Sequence, residues 1–294
     1  MLNESSIKHY YRKEIKNFMI DDSIFPDANF RKYVSSLLQE QEVHKIVHID
    51  VANKAIKSLK GIEYFTSLLS LNCNNNDLTS LDLSENVELM TLYCSNNSLS
   101  SLNIKKNISL VTLCCKGNQL KELDLQSNIV LKDLRCSENR LTCLDTSKNV
   151  LLEFIGCDNN KIEKIDTNKN VALEVLNCSN NELTMLDFRL NGALYGLTCD
   201  HNCFLSLTLS VYRYKLFSAK HQKRTLMIDR KENCIELTKM DPFIQGDNIL
   251  NIKGASLNGT LLSEFKVGSK ITYSYDCGSE YLMNVEIDIM IKEE

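Results

Sequence analysis

Seven cysteines, Cys73, Cys94, Cys115, Cys136, Cys157, Cys178 and Cys199, recur every 21 residues, and each stands three residues before an asparagine, from Asn76 to Asn202. Thiols can bind metals, pair as disulfides or attack electrophiles, so this file is the first place where chemistry could reside. Parallel strands stand about 4.8 Å apart, which is within Cα range of a disulfide. In-register side chains point the same way, however, and seven members cannot all pair. The file therefore reads as buried thiols serving as small apolar filler in a narrow core. Cys199, His201 and Cys203 form a tight cluster, but no second Cys or His pair completes four zinc ligands. His44 and His48 are four apart without a matching carboxylate motif. Cys114 and Cys143 lie outside the file and should face outward, which would suit a reactive thiol, yet no His or Asn stands in a readable relation to either. No catalytic residue, cofactor or metal site is expected.

Two charged patterns need a reading. Asp82, Asp124, Asp145, Asp166 and Asp187 repeat beside apolar positions, with Asn103 in the same row. Short acidic side chains accept from nearby backbone N–H groups, so a turn role is expected rather than a cation file. The basic run Arg213, Lys215, Lys220, Lys223, Arg224, Arg230 and Lys231 contrasts with a whole-chain net charge of −4. Without a nucleic-acid motif it reads as a solvated edge, and nucleic acid is not the expected partner.

The elements that must position these residues follow from the period. A unit this short holds one strand and one return path, and cannot bury its own apolar side, so it is stable only when stacked on neighbours. The frame Leu68, Leu71, Cys73, Asn76, Leu78, Leu81, Leu83, Asn86 repeats along the array. Alternation along the strand turns Leu71 and Cys73 inward and Asn72 outward. The Asn amide, with donors and an acceptor, can satisfy backbone groups left unpaired where the chain leaves the strand. Leu81 and Leu83, with their counterparts down to Leu207 and Leu209, form the back wall, and so short a return path favours extended or 3₁₀ segments over full helix. The open ends of such a coil require caps. Phe25, Pro26 and the spacing of Phe30, Tyr33, Val34, Leu37 and Leu38 predict a helical cap, followed by a strand near Ile46 to Val51. At the other end, alternation over Lys270–Tyr275 and Met283–Ile291, with turns at Asn258-Gly259 and Cys277-Gly278, predicts a small antiparallel β-module.

The repeat frame, with Cys where the strand's last Leu usually stands, resembles the leucine-rich repeat. The segment from Phe25 to Val34 and the run Ile56 to Leu78 are similar to the N-terminal caps of bacterial internalin-like proteins. That resemblance implies a right-handed coil with a parallel β-sheet, a non-enzymatic protein-binding role and export. Relatives often carry an Asp-rich calcium loop after the cap helix, but Ser35 to His44 lacks its ligands, and no calcium site is carried over. The expected organisation is a polar extension over 1–22, a helical cap over 23–48, the repeat coil over 49–210 and a β-rich module over 211–294. Only 10 Gly and 2 Pro, with no low-complexity linker, favour one continuous body. The polar opening residues and the lack of any long apolar run read as cytoplasmic, with no membrane span; the resemblance points instead to a secreted or surface protein.

If the chain recognises a partner, it does so through the variable outward positions of the strands. Tyr93, Arg135 and Phe154 are the expected anchors, because aromatic and Arg side chains dominate interfaces. Asn72, Lys116, Asp133, Asp158 and Asn177 are expected to complete the surface, with Ser95 and Ser137 in the same outward file. The competing readings are a thiol enzyme or redox protein using Cys114 or Cys143, and a purely structural element of an assembly.

Overall fold

Each asparagine that follows a core cysteine closes a bend that would otherwise leave buried backbone groups unpaired. Asn76 donates to the carbonyls of Val51, Cys73 and Asn74, and its Oδ1 accepts from the amides of Lys54 and Ile56 at 3.1 and 2.9 Å. Asn97 and Asn118 repeat this one and two coils later. One amide thus stitches two coils and caps its own strand, as a buried Asn with all its valences used should. The residue before it adopts a left-handed backbone at Asn75, Asn96, Gly117, Glu138, Asn159, Asn180 and His201, with φ between 53° and 65°. Asn and Gly tolerate that conformation best.

The computed structural model describes residues 20–207, 209, 214–229, 233–278 and 281–292. Two compact units divide the chain, Met1–Leu131 and Lys132–Glu294. Residues 1–19, which make up most of the expected polar extension, lie outside the described residues.

In the first unit, helix α1 (Ala28–Glu40) starts at Asp27, whose carboxylate accepts from the amides of Asn29 and Phe30. Its other oxygen accepts from Lys57 N at 2.7 Å, which ties the helix to the first coil. Phe25, Phe30 and Val34 are fully buried beneath it. Gly61, at φ 102°, permits this approach: a Cβ there would stand 2.2 Å from the Phe25 ring. Strands β1 (His48–Asp50), β2 (Ser70–Asn72), β3 (Thr91–Tyr93) and β4 (Thr112–Cys114) then pair in parallel and in register. Their central leucines, Leu71, Leu92 and Leu113, are fully buried, as are Cys73, Cys94 and Cys115 just beyond.

In the second unit β5 (Asp133–Arg135), β7 (Phe154–Gly156), β9 (Val175–Asn177), β10 (Gly196–Thr198) and β11 (Leu216–Ser218) continue the same parallel pattern. The last of these lies beyond position 210. On the return path, short β6 (Cys143–Leu144) pairs with β8 (Lys164–Ile165), while the expected Asp turns form: Asp82, Asp124, Asp145, Asp166 and Asp187 each accept from the amide two residues on.

A second file of asparagines lines the back wall in both units and is fully buried. Asn107 donates to the carbonyls of Leu83 and Asn86, and Asn170 to those of Thr146 and Asn149. Where the wall residue is Leu83, Asn107 Oδ1 has no hydrogen-bond donor among the described residues. Where it is Thr146, the hydroxyl donates to Asn170 Oδ1 at 2.8 Å.

The C-terminal strands β12 (Gln222–Ile228), β14 (Ile249–Lys253), β17 (Lys270–Asp276) and β18 (Leu282–Ile291) form a sheet in the order β12-β18-β17-β14, and β13 (Cys234–Glu236), β15 (Ser256–Asn258) and β16 (Leu261–Ser263) form a second. The first sheet is mixed rather than purely antiparallel, because β12 runs parallel to β18. The long stretch between them, which holds β13 to β17, supplies the crossover that a parallel pair requires. Gln222 occupies the last rung of the asparagine file, donating to the carbonyls of Cys199 and Lys220. The module is fastened to the final coil by Tyr273 Oη, which donates to Leu205 O at 2.8 Å, and by Ser206 Oγ, which donates to Asp241 at 2.6 Å.

Candidate functional site

Outward side chains of the parallel strands come from their first and third residues. In the second unit Asp133, Arg135, Phe154, Val175, Asn177 and Thr198 occupy these positions at least partly exposed, whereas Gly156 and Gly196 are buried there. The two glycines are covered by their neighbours. A Cβ on Gly156 would lie 3.1 Å from Phe154 Cε1, and one on Gly196 would lie 3.2 Å from Val175 Cγ2. Phe154 therefore lies across its own strand, over Gly156.

The guanidinium of Arg135 stacks on that ring, 4.7 Å from its centroid. Asp133 accepts from Arg135 Nε at 3.0 Å and from Nη2 at 3.1 Å, fixing the plane of the fork. Cation, ring and carboxylate hold one another in place, so this surface is ordered before any partner arrives. A cation over an aromatic face is worth about 0.5–1 kcal/mol when exposed and more once water is excluded. A second pair, Lys215 over Tyr195 at 5.2 Å, stands immediately before the neighbouring strands β11 and β10.

Asp158 and Asn177 are also brought together. Asp158 Oδ1 accepts from Ser137 Oγ at 2.5 Å and Asn177 Nδ2 at 2.9 Å, and Asn177 Oδ1 accepts from Thr198 Oγ1 at 2.7 Å. Ser137 is buried, contrary to the expectation that it faces outward, because its hydroxyl turns in to Asp158. Ser95 is likewise buried, its amide donating to Asn74 Oδ1 and its hydroxyl 3.0 Å from Cys114 Sγ.

In the first unit Tyr93 and Lys116 are exposed. Asn72 donates to Asp50 Oδ2 at 3.2 Å and accepts from Asn74 N. Sequence reading names neither Gly156 nor Tyr195 as a site residue, and Lys215 only as part of the basic run. A glycine two residues after an aromatic in a repeat that otherwise carries a side chain there is the signal that could have marked the first.

The thiol file is chemically quiet. Burial pushes the Cys73 thiol up to about 12 and holds Cys94, Cys157, Cys178 and Cys199 well above the ordinary range, with neighbouring thiols raising them further. Such groups stay protonated and neither attack nor ligate readily. Cys143 and Cys234 are exposed, and Cys114 is half-buried. His201 stacks on His221 at 4.7 Å instead of converging with Cys199, which is fully buried. Among the described residues no group of three or more His, Cys, Asp or Glu could hold a metal ion. Lys223 of the basic run pairs with Glu286 and Asp288; Arg213, Arg230 and Lys231 lie outside the described residues. No helix among them is long and apolar enough to cross a membrane.

The 21-residue frame, the parallel strands and the asparagine files define a leucine-rich repeat solenoid. No family model matches the chain. Internalin J of Listeria monocytogenes is 35 % identical over 70 residues, which cover 21 % of this chain and 8 % of that protein. The chain thus spans less than a tenth of the curated relative it matches. Among solved structures, internalin C2 of Listeria monocytogenes superposes with a TM-score of 0.59 at 19 % identity, covering 62 % of this chain and 88 % of that one. A leucine-rich repeat protein of Leptospira interrogans gives 0.55 at 24 % identity, covering 60 % and 48 %. The chain thus resembles bacterial internalins, over 70 residues in sequence and over the repeat coil in fold.

Proposed function

We propose that the chain is a non-enzymatic module that captures a protein partner through the outward face of its parallel strands, at a cell surface or in contact with a host. The observation that carries this is the ordered Asp133–Arg135–Phe154 assembly over Gly156. Interface energy concentrates in a few aromatic and Arg side chains, and fixing them beforehand removes part of the entropy lost on binding. The invariant interior and the varied outward positions suit a scaffold whose recognition surface diverges while its fold does not. Tyr93, Asn72 and Lys116 belong to the same reading as the contribution of the first unit, and Asp158 and Asn177 as that of the second.

Affinity capture from lysates and from host-cell extracts, with a Tyr93→Ala, Arg135→Ala, Phe154→Ala variant as control, tests this. The expected result is a partner retained by the native chain and lost with the variant, whose circular dichroism is unchanged. Equal capture by both would remove the strand face as the site.

A further inference from the structure

The outward face of the four-stranded C-terminal sheet carries a cavity of about 580 Å³, within the range of small-ligand sites. Strand register places its chemistry. Lys223 faces Glu286, Glu286 faces Thr272 and Thr272 faces Lys253, so one row crosses all four strands. Ser274 opposite Asn284 makes a second, adjacent row. The register of β14 shifts between Leu250 and Lys253, and Asn251 within that shift has a left-handed backbone at φ 56° and lines the cavity. Bulges of this kind re-aim side chains and are common beside binding sites. One wall is a flat ring pair, His201 and His221, stacked at 4.7 Å and inclined by 16°.

The charges narrow the ligand. Glu286 is shared between Lys270 at 2.9 Å and Lys223 at 3.3 Å, and Lys223 also reaches Asp288 at 3.0 Å. Lys253 is exposed and has no acidic partner among the described residues. A site with hydroxyls and carboxamides that both donate and accept, a flat ring wall and one unmatched cation suits a molecule with several hydroxyls and one carboxylate. We propose that this cavity binds an acidic saccharide, with Lys253 holding the carboxylate, and Asn284, Ser274 and Asn251 the hydroxyls. The site is separate from the strand face and does not rest on the protein-capture reading.

Saturation-transfer NMR and calorimetric titration of the full chain with D-glucuronate test it, using D-glucose as the sugar without charge and acetate as the charge without sugar. The expected result is millimolar or tighter binding of glucuronate, at least ~10-fold stronger than either control, the scale of a charge-assisted hydrogen bond. Lys253→Gln should remove that preference for glucuronate over glucose, and Asn284→Ala should weaken both sugars. Both positions are exposed, and an unchanged thermal transition verifies the fold. No binding at millimolar glucuronate, glucose or acetate matching glucuronate, or full binding by Lys253→Gln would each overturn the assignment.

Discussion

Raising the pH should unfold this protein through its thiols, and the size of the effect follows from burial. In the unfolded chain a thiol ionises near its ordinary value of 9.0, whereas burial holds Cys73 in the folded chain up to about 12 and Cys94, Cys157, Cys178 and Cys199 well above 9.0. Below the unfolded value both states keep their protons and the thiols contribute their full stability. Above it the unfolded state alone releases protons, so the folded state loses a factor of about ten per thiol per pH unit until the folded value is reached. Five such thiols one unit above 9.0 lose a factor of about 10⁵, or roughly 7 kcal/mol, comparable with the whole stability of an ordinary domain. Urea midpoints followed by circular dichroism in reductant at pH 8, 9, 9.5 and 10 give the slope. Tyrosines and lysines titrate in the same window, so the decisive comparison is with Cys157→Ala, Cys178→Ala. The double variant should be less stable at pH 8, because it leaves cavities, but with two fewer thiols it should lose about 2.7 kcal/mol less per pH unit, a factor of about a hundred in the folding equilibrium. Parallel slopes for the two proteins would refute the account of the thiol file.

Three further outcomes follow from the same geometry. Thr146→Val keeps the shape of the back wall but leaves Asn170 Oδ1 without the hydroxyl that now donates to it at 2.8 Å; it should cost about 1–3 kcal/mol in chemical denaturation, and an unchanged midpoint would contradict it. Glu138 stands at φ 55° where other coils carry Asn, Gly or His, so Glu138→Gly should stabilise the fold by about 0.5–1 kcal/mol, the left-handed penalty less the entropy of Gly; a lower thermal midpoint would count against it. In native buffer a thiol reagent should modify Cys143 and Cys234 rapidly and leave Cys73, Cys94, Cys157, Cys178 and Cys199 untouched until the chain is unfolded; early labelling of the file, read by mass spectrometry, would show that it is not a closed core.

The architecture was legible because each coil repeats one physical problem. Leu71 and Cys73 alternate with Asn72, Asn76 must close the bend, and Asp82 must cap a turn, so a single repeat reveals the roles and the period repeats them. The parallel alignment of β12 with β18 was not legible, since alternation in Lys270–Tyr275 and Met283–Ile291 reports which face is buried and not which way a neighbouring strand runs. Arg135 and Phe154 could be named as anchors from residue type alone. Their stacking depends on register between successive coils and on Gly156 leaving room for the ring, neither of which residue type reveals. The burial of Ser137 has the same origin, because its partner Asp158 lies one coil further along. The cavity on the C-terminal sheet is assembled from His201, Asn251, Thr272 and Asn284, residues too far apart in sequence for any local motif.

Site-specific photocrosslinking tests the central claim most directly. A photoreactive phenylalanine analogue placed in turn at Val175 and Asn177 on the strand face, and at the exposed back-wall positions Lys148 and Lys169, is irradiated in the presence of the captured partner. Partner adducts from 175 and 177, with none from 148 and 169, are predicted. Adducts from the back wall alone would contradict recognition through the strand face.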